Sequence, residues 1–128
     1  MNNAVRIAIV VALLGAVGVV IALKTRGGAE ADPHAGAGLP RLLELGSTTC
    51  IPCKAMKPIL EELKTECAGK FQVELIDVHK DEAAAEAHDV RIIPTQVFLD
   101  ASGKELFRHE GFFAKEDILA KWKELGVE

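Results

Sequence analysis

The stretch GSTTCIPCKAMKPILEEL, residues 46–63, carries the strongest structural signal in the sequence. Its apolar positions, continued a few residues further along the chain, recur at alternating spacings of three and four, which is typical of an amphipathic helix with one buried face. These positions are Cys53, Met56, Leu60, Leu63 and Cys67. The hydroxyl residues at 47–49 directly precede the stripe and predict a hydroxyl N-cap, with the helix beginning near Cys50.

Cys50 and Cys53 form a Cys-x-x-Cys pair in the first turn of this helix. Side chains three residues apart share a helix face and lie close enough for a disulfide. Cys50 stands nearest the helix N-terminus, where free N–H groups and the helix dipole favour a thiolate. We therefore expect Cys50 to be the exposed nucleophile and Cys53, the first residue of the buried stripe, to be the resolving thiol.

Half of a zinc site is the alternative interpretation of such a pair. Structural zinc is normally held by four ligands, often supplied as two Cys-x-x-Cys pairs. The sequence has no second pair, and neither His79 nor His88 stands at a partner spacing. No metal is therefore expected at the cysteines.

Outside this helix, strand and helix patterns alternate along the chain. Strands are predicted at 41–46, 71–78, 95–100 and 104–109, and further helices at 81–88 and 115–125. The order β-α-β-α-β-β-α predicts an α/β fold with a mixed central sheet between helical layers. Strand–helix–strand units predict parallel pairing, whereas the turn at 101–103 predicts an antiparallel hairpin.

The first forty residues are predicted to lie outside this domain. The run IAIVVALLGAVGVVIAL, residues 7–23, is apolar throughout. As a helix it would span about 26 Å, close to the thickness of a bilayer core, and it has no polar face. We interpret it as a transmembrane signal anchor between a short tail, residues 1–6, and a flexible Gly- and Ala-rich linker, residues 24–40.

A cleaved signal peptide is the alternative to the anchor, because Ala29-Glu30-Ala31 has the form of a cleavage site. The positive charges on the two sides of the run are nearly balanced and do not set its orientation. The very short N-terminal tail favours export of residues 41–128.

The length, net charge and cysteine count of the chain exclude several classes of protein. The chain has 128 residues, which allows one small domain with an appendage. Its net charge of −4 argues against a general nucleic-acid binder. Three cysteines are too few, and odd in number, for a disulfide framework.

Several linked motifs resemble the thioredoxin family. They are residues 46–63, followed by VELIDV at 73–78, VRIIPTQVFLD at 90–100 and SGKELFRHEGF at 102–112. The resemblance covers nearly all of 41–128 and is closest to short, membrane-tethered bacterial thioredoxin-like proteins. It implies a thioredoxin-like domain without the N-terminal strand and helix of full thioredoxins. It also implies a thiol–disulfide oxidoreductase that uses the Cys50–Cys53 disulfide and no cofactor.

The resemblance also implies roles for individual residues. Pro94 matches the family's cis-proline, which faces the cysteine pair, and the Ile93 backbone would pair with an extended substrate segment. The substrate-binding set it implies is Ile51, Pro52, Ile93, Pro94 and Thr95. Glu44 lies six residues before Cys50, where thioredoxins carry a buried acid that assists proton transfer from the resolving cysteine. We expect Glu44 to be buried, with a raised pKa, and to act as a base through water.

This sequence departs from the family pattern near the cysteines. Thr49 stands where thioredoxins have a tryptophan, so the docking surface should differ. The lysine common on the strand after the long helix is missing, and Glu74 and Leu75 stand there. No histidine lies between the cysteines, which favours a reductant over an oxidant.

The sequence therefore predicts a reductant of protein disulfides that is tethered to the cytoplasmic membrane, faces outward and acts as a monomer. By resemblance, a membrane thiol transporter of the DsbD/CcdA type would supply its electrons. A disulfide oxidant is the alternative within the same class. A copper-binding thioredoxin-like module is the alternative from another class, and the lack of a nearby third ligand disfavours it.

Overall fold

The structure is a computed structural model that describes residues 5, 7, 9–12 and 38–128. The chain divides into two units, Met1–Pro33 and His34–Glu128. The few described residues of the first unit are helical, and no helix among the described residues is long and apolar enough to cross a membrane. Most of the predicted anchor and linker falls outside the described residues, so the anchor stays a prediction.

Residues 38–128 contain the seven elements that the sequence predicts, in the predicted order. The strands are β1 (Arg41–Gly46), β2 (Gln72–Asp77), β3 (Thr95–Leu99) and β4 (Glu105–Glu110). The helices are α1 (Ile51–Glu66), α2 (Glu82–Ala87) and α3 (Lys115–Glu124). Nearly all of the observed bounds lie within one residue of the predicted ones.

The four strands form one mixed sheet in the order β2-β1-β3-β4. β1 and β2 are parallel, as predicted, and β3 and β4 are antiparallel. The prediction of parallel pairing for the second strand–helix–strand unit is wrong, because β3 pairs with β1 and is antiparallel to it. A six-residue helix such as α2 rises only about 9 Å, whereas a strand of six residues is about 20 Å long. β3 therefore begins at the end of the sheet where β2 finishes, and it runs in the opposite direction.

Both faces of the sheet are covered by apolar residues. On one face Leu42 and Phe98 pack with the buried stripe of α1 and with Ile118 and Trp122 of α3. On the other face Leu43, Leu45 and Val97 pack with residues around α2. Because side chains alternate along a strand, Glu44 on β1 and residue 96 on β3 point toward α1. A polar pair thus lies beneath the start of that helix.

The stripe that predicts α1 is confirmed by burial of all five of its residues. Cys67, the last of them, caps the C-terminal end of α1 and has a buried free thiol. Trp122 is buried as well and stacks on Phe71 with ring centroids 4.7 Å apart. Neither side chain belongs to the site at the other end of α1.

Candidate active site

The cysteine pair lies at the N-terminus of α1, directly after the end of β1. Cys50 is itself the N-cap, and its Sγ accepts a hydrogen bond from the Cys53 N–H at 3.3 Å. The prediction of a hydroxyl N-cap is therefore wrong. Ser47 and Thr49 instead bond to each other through their hydroxyls at 2.9 Å, in the turn before the helix. The sulfur thus occupies the place where the helix offers its free N–H groups.

Cys50 and Cys53 are joined in a disulfide, with their Cα atoms 5.2 Å apart. Cys50 is half-buried, whereas Cys53 is 9 % exposed and belongs to the inner face of α1. Ile51 and Pro52 between them are exposed. A thiol from outside can therefore reach the sulfur of Cys50 more easily than that of Cys53, which agrees with the predicted order of roles.

The loop before β3 lies against the cysteine pair. The Ile93–Pro94 peptide bond is cis, which confirms the predicted geometry. The carbonyl oxygen of Ile93 is 4.0 Å from Sγ of Cys50, although these residues are 43 positions apart. The Gly111 N–H donates to the Pro94 carbonyl at 2.7 Å, and the Thr95 hydroxyl donates to the Ile92 carbonyl at 2.6 Å. These bonds hold the loop in place beside Cys50.

Glu44 is buried below the cysteines, as predicted, and is only 4 % exposed. Its Oε2 accepts a hydrogen bond from Nε2 of Gln96 at 2.8 Å, and its Oε1 has no hydrogen-bond partner among the described residues. Burial raises the pKa of Glu44 to about 8, and the hydrogen bond from Gln96 opposes that rise. The carboxyl group is therefore mostly protonated at pH 7 and close to its point of titration.

A cleft of about 210 Å³ leads from solvent to Glu44 and Cys53. Gly46 and Leu75 are among the residues that line it. A Cβ atom on residue 46 would lie 3.2 Å from Sγ of Cys53 and 3.8 Å from Oε1 of Glu44. The absence of a side chain at Gly46 thus leaves a gap between the buried sulfur and the free carboxyl oxygen.

The structure brings together the predicted cysteines, Glu44 and the loop at 93–95. Sequence reasoning missed Gln96 and Gly46. The alternation of TQVFL places Gln96 on the same strand face as the buried Phe98, and that signal could have marked it as an inward-facing polar residue. No three His, Cys, Asp or Glu side chains are grouped to hold a metal in the part of the chain that the structure describes.

Comparisons with known proteins agree with this geometry. The thioredoxin family model matches residues 38–124. The thioredoxin of Staphylococcus aureus is 34 % identical over 91 residues, which are 70 % of this chain and 85 % of that protein. The solved germline-specific thioredoxin Deadhead of Drosophila melanogaster superposes with a TM-score of 0.63 at 27 % identity, covering 80 % of this chain and 89 % of that one. Thioredoxin-2 of the malaria parasite has a TM-score of 0.64 at 19 % identity, covers 70 % and 94 % of the two chains, and shows the fold alone.

A disulfide whose outer sulfur can be attacked, held at a helix N-terminus against a cis-proline loop, defines the class: a thiol–disulfide oxidoreductase. The disulfide is its redox group, in place of a bound cofactor. Because the family model matches most of the chain and the Staphylococcus aureus thioredoxin is 34 % identical to it, the chain belongs to the thioredoxin family.

Proposed function

We propose that the protein is a membrane-tethered reductant of extracytoplasmic protein disulfides. The observation that carries the proposal is the asymmetry of the cysteine pair, with half-buried Cys50 beside the Ile93 carbonyl and buried Cys53 above Glu44. This asymmetry suits one sulfur for attack on a substrate and the other for release of that substrate.

The reaction transfers two electrons from the reduced protein to the substrate. The Cys50 thiolate attacks one sulfur of a substrate disulfide, and the other substrate sulfur leaves as a thiolate that takes up a proton. Cys53 then gives its proton to the Glu44 carboxylate and attacks Sγ of Cys50. The Cys50–Cys53 disulfide forms as the bond between Cys50 and the substrate breaks, and the second substrate sulfur leaves as a thiolate that takes up a proton. A dithiol donor of the DsbD/CcdA type would reduce the pair again.

The surroundings of the site favour an extended protein segment as the substrate. Three apolar side chains near the cysteines and their flanking loops are strongly exposed: Ile51 at 81 %, Ile92 at 53 % and Phe112 at 50 %. The Ile93 backbone beside Cys50 can pair with a substrate strand, and Pro94 and Thr95 fix that backbone. Thr49 leaves the surface without the bulk of an aromatic residue at that position.

The surroundings of the Cys50 thiolate support the proposed direction of electron flow. A cation between the cysteines would stabilise the reduced form and make the disulfide a strong oxidant. The intervening residues, Ile51 and Pro52, carry no charge. The thiolate then depends on the N-terminus of α1 for its stabilisation, which favours a more reducing pair.

A redox titration of the Cys50/Cys53 pair tests this direction. Equilibration with a thiol buffer, read by alkylation of the free thiols, should give a potential near the ~−270 mV of thioredoxin. The reduced protein should also reduce the interchain disulfides of insulin. A potential near the ~−120 mV of DsbA, with oxidation of reduced substrates, would make the protein an oxidant instead.

The proposal of a membrane tether rests on the apolar run at 7–23. Fusion of alkaline phosphatase after Glu128 should give an active enzyme, because phosphatase needs an extracytoplasmic location for its disulfides. A matched fusion without residues 7–23 should be inactive. Phosphatase inactive in the full fusion, together with an active cytoplasmic reporter at the same position, would place the domain inside the cell.

A further inference from the structure

Gln96 is the buried polar side chain that faces Glu44. It is fully buried, and its position on β3 is directly opposite Glu44 on β1. Its Nε2 donates to Oε2 of Glu44 at 2.8 Å. Residues on both sides of it in the strand are buried, so an aliphatic side chain would fill the site without the desolvation cost of an amide.

An amide suits a partner that changes its protonation state. When Glu44 is a carboxylate, the Gln96 NH₂ group donates to it. When Glu44 is protonated, its O–H can donate to the amide oxygen after rotation of the amide, because glutamine carries both a donor and an acceptor. Oε1 of Gln96 has no hydrogen-bond partner within residues 38–128 and the few described residues before them.

The bond to Gln96 also determines which oxygen of Glu44 remains free. Oε2 accepts the hydrogen bond from Gln96. Oε1 and Sγ of Cys53 both border the gap left by the missing side chain at Gly46. We propose that Gln96 is a positioning residue for the proton transfer, holding Oε2 of Glu44 so that Oε1 stays available to Cys53 across the gap over Gly46. This inference rests on the base role of Glu44 in the proposed function.

The other titratable groups around Glu44 lie along the same cleft. α1 contributes Lys54 and Lys57 besides Cys53, and the end of β2 and the following turn contribute Asp77 and Lys80. β3 adds no titratable side chain, since its residues are TQVFL. The three lysines are exposed and screened by solvent. A change at Gln96 leaves all of these groups in place.

Loss of the amide should shift the pH dependence of the second chemical step. Donation from Gln96 stabilises the carboxylate, so its removal raises the pKa of Glu44 further and lowers the carboxylate fraction at pH 7. Each unit of that rise costs about tenfold in carboxylate concentration. We expect Gln96→Met to slow resolution by Cys53 about tenfold at pH 7 and to leave attack by Cys50 unchanged.

Rapid mixing with a chromogenic aromatic disulfide separates the two steps. Release of the first aromatic thiolate reports attack by Cys50, and release of the second reports resolution by Cys53. The measurement uses the full chain with Cys67→Ala, so that a third thiol cannot contribute. In Gln96→Met the rise of the second phase with pH should move to higher pH. In Val97→Ala, which weakens the core on the opposite face of β3, it should not move.

Two further variants separate this inference from the proposed function. Adding Gln96→Met to Glu44→Gln should produce no additional slowing. If Glu44→Gln alone leaves the second phase unchanged, the base role of Glu44 is wrong. If Glu44→Gln slows that phase but Gln96→Met leaves its pH profile in place, the positioning role of Gln96 is wrong.

A spectroscopic measurement tests the same point without turnover. The infrared carbonyl band of protonated Glu44, identified by its loss in Glu44→Gln, should titrate about one pH unit higher in Gln96→Met. Gln96→Leu provides the same test where the methionine variant does not fold. An unchanged midpoint in either variant would overturn the inference.

Discussion

The Cys53→Ser protein will capture its substrate in a stable mixed disulfide, whereas Cys50→Ser will capture none and will reduce no disulfide above background. Cys50 keeps its place at the N-terminus of α1 in the first variant, so attack on a substrate disulfide still occurs. The serine hydroxyl at 53 cannot displace the substrate sulfur, so the adduct persists. In the second variant the remaining active-site thiol is the buried one, which a protein disulfide cannot reach.

Non-reducing electrophoresis and mass spectrometry of the two variants, incubated in the reduced state with insulin, measure this difference. Cys67→Ala is the matched control. Its thiol is buried at the far end of α1, a helix that rises about 24 Å over its length, so turnover should stay at the wild-type level. Full activity of Cys53→Ser without an adduct would show that Cys53 is not the resolving thiol.

Prediction from sequence succeeded where local periodicity decides the structure. The apolar stripe of α1 can be recognised from the residues of that helix alone, and all five of its residues are buried. The prediction of parallel pairing for the second strand–helix–strand unit is wrong, because the direction of β3 depends on how far a short connection can carry the chain. The prediction of the N-cap was wrong for a different reason, since Sγ of Cys50 occupies the cap position that a hydroxyl of residues 47–49 was expected to occupy.

Only the parts of the candidate site that belong to sequence motifs, or lie at a fixed distance from one, could be predicted. The cysteine pair and Pro94 belong to motifs, and Glu44 lies at a fixed distance from Cys50. Gln96 belongs to no motif. It lies 52 residues from Glu44 and becomes its neighbour only through the antiparallel register of β1 and β3. A polar residue within an apolar strand does not reveal its partner until that register is known.

The Glu44→Gln protein will be more stable than the wild type, and its advantage will grow as the pH rises. The folded protein holds a proton on Glu44 up to about pH 8, whereas the unfolded chain releases it near the ordinary glutamate pKa of 4.5. The folded state therefore binds more protons between these values, and wild-type stability falls as pH increases across that window. A glutamine has the shape of the protonated acid but cannot ionise, so the variant escapes this loss.

The loss amounts to about 1.4 kcal/mol for each pH unit within the window, and structural relaxation around the carboxylate reduces it. For a domain of this size, each kcal/mol corresponds to about 4–8 °C in Tm. Thermal unfolding at several pH values should show a small Tm difference at pH 5 and a difference of about ten degrees or more at pH 8. Glu61→Gln, which removes the same charge from an exposed site on α1, should show no such growth. An equal advantage at pH 5 and pH 8 would mean that folded Glu44 is ionised throughout.

The same substitution should slow the resolution step, in which we propose that Glu44 acts as the base. A carboxyl group with a pKa of about 8 is partly ionised at neutral pH, so it can accept the Cys53 proton and return it to solvent through the cleft. Glutamine cannot accept that proton, and the resolution phase should lose its rise with pH through about 8 while attack by Cys50 keeps its wild-type rate. Because stability increases, slower resolution cannot be a consequence of partial unfolding. These results together would show that the buried carboxyl destabilises the fold and serves the proton transfer. A wild-type rate of resolution in Glu44→Gln would contradict that role.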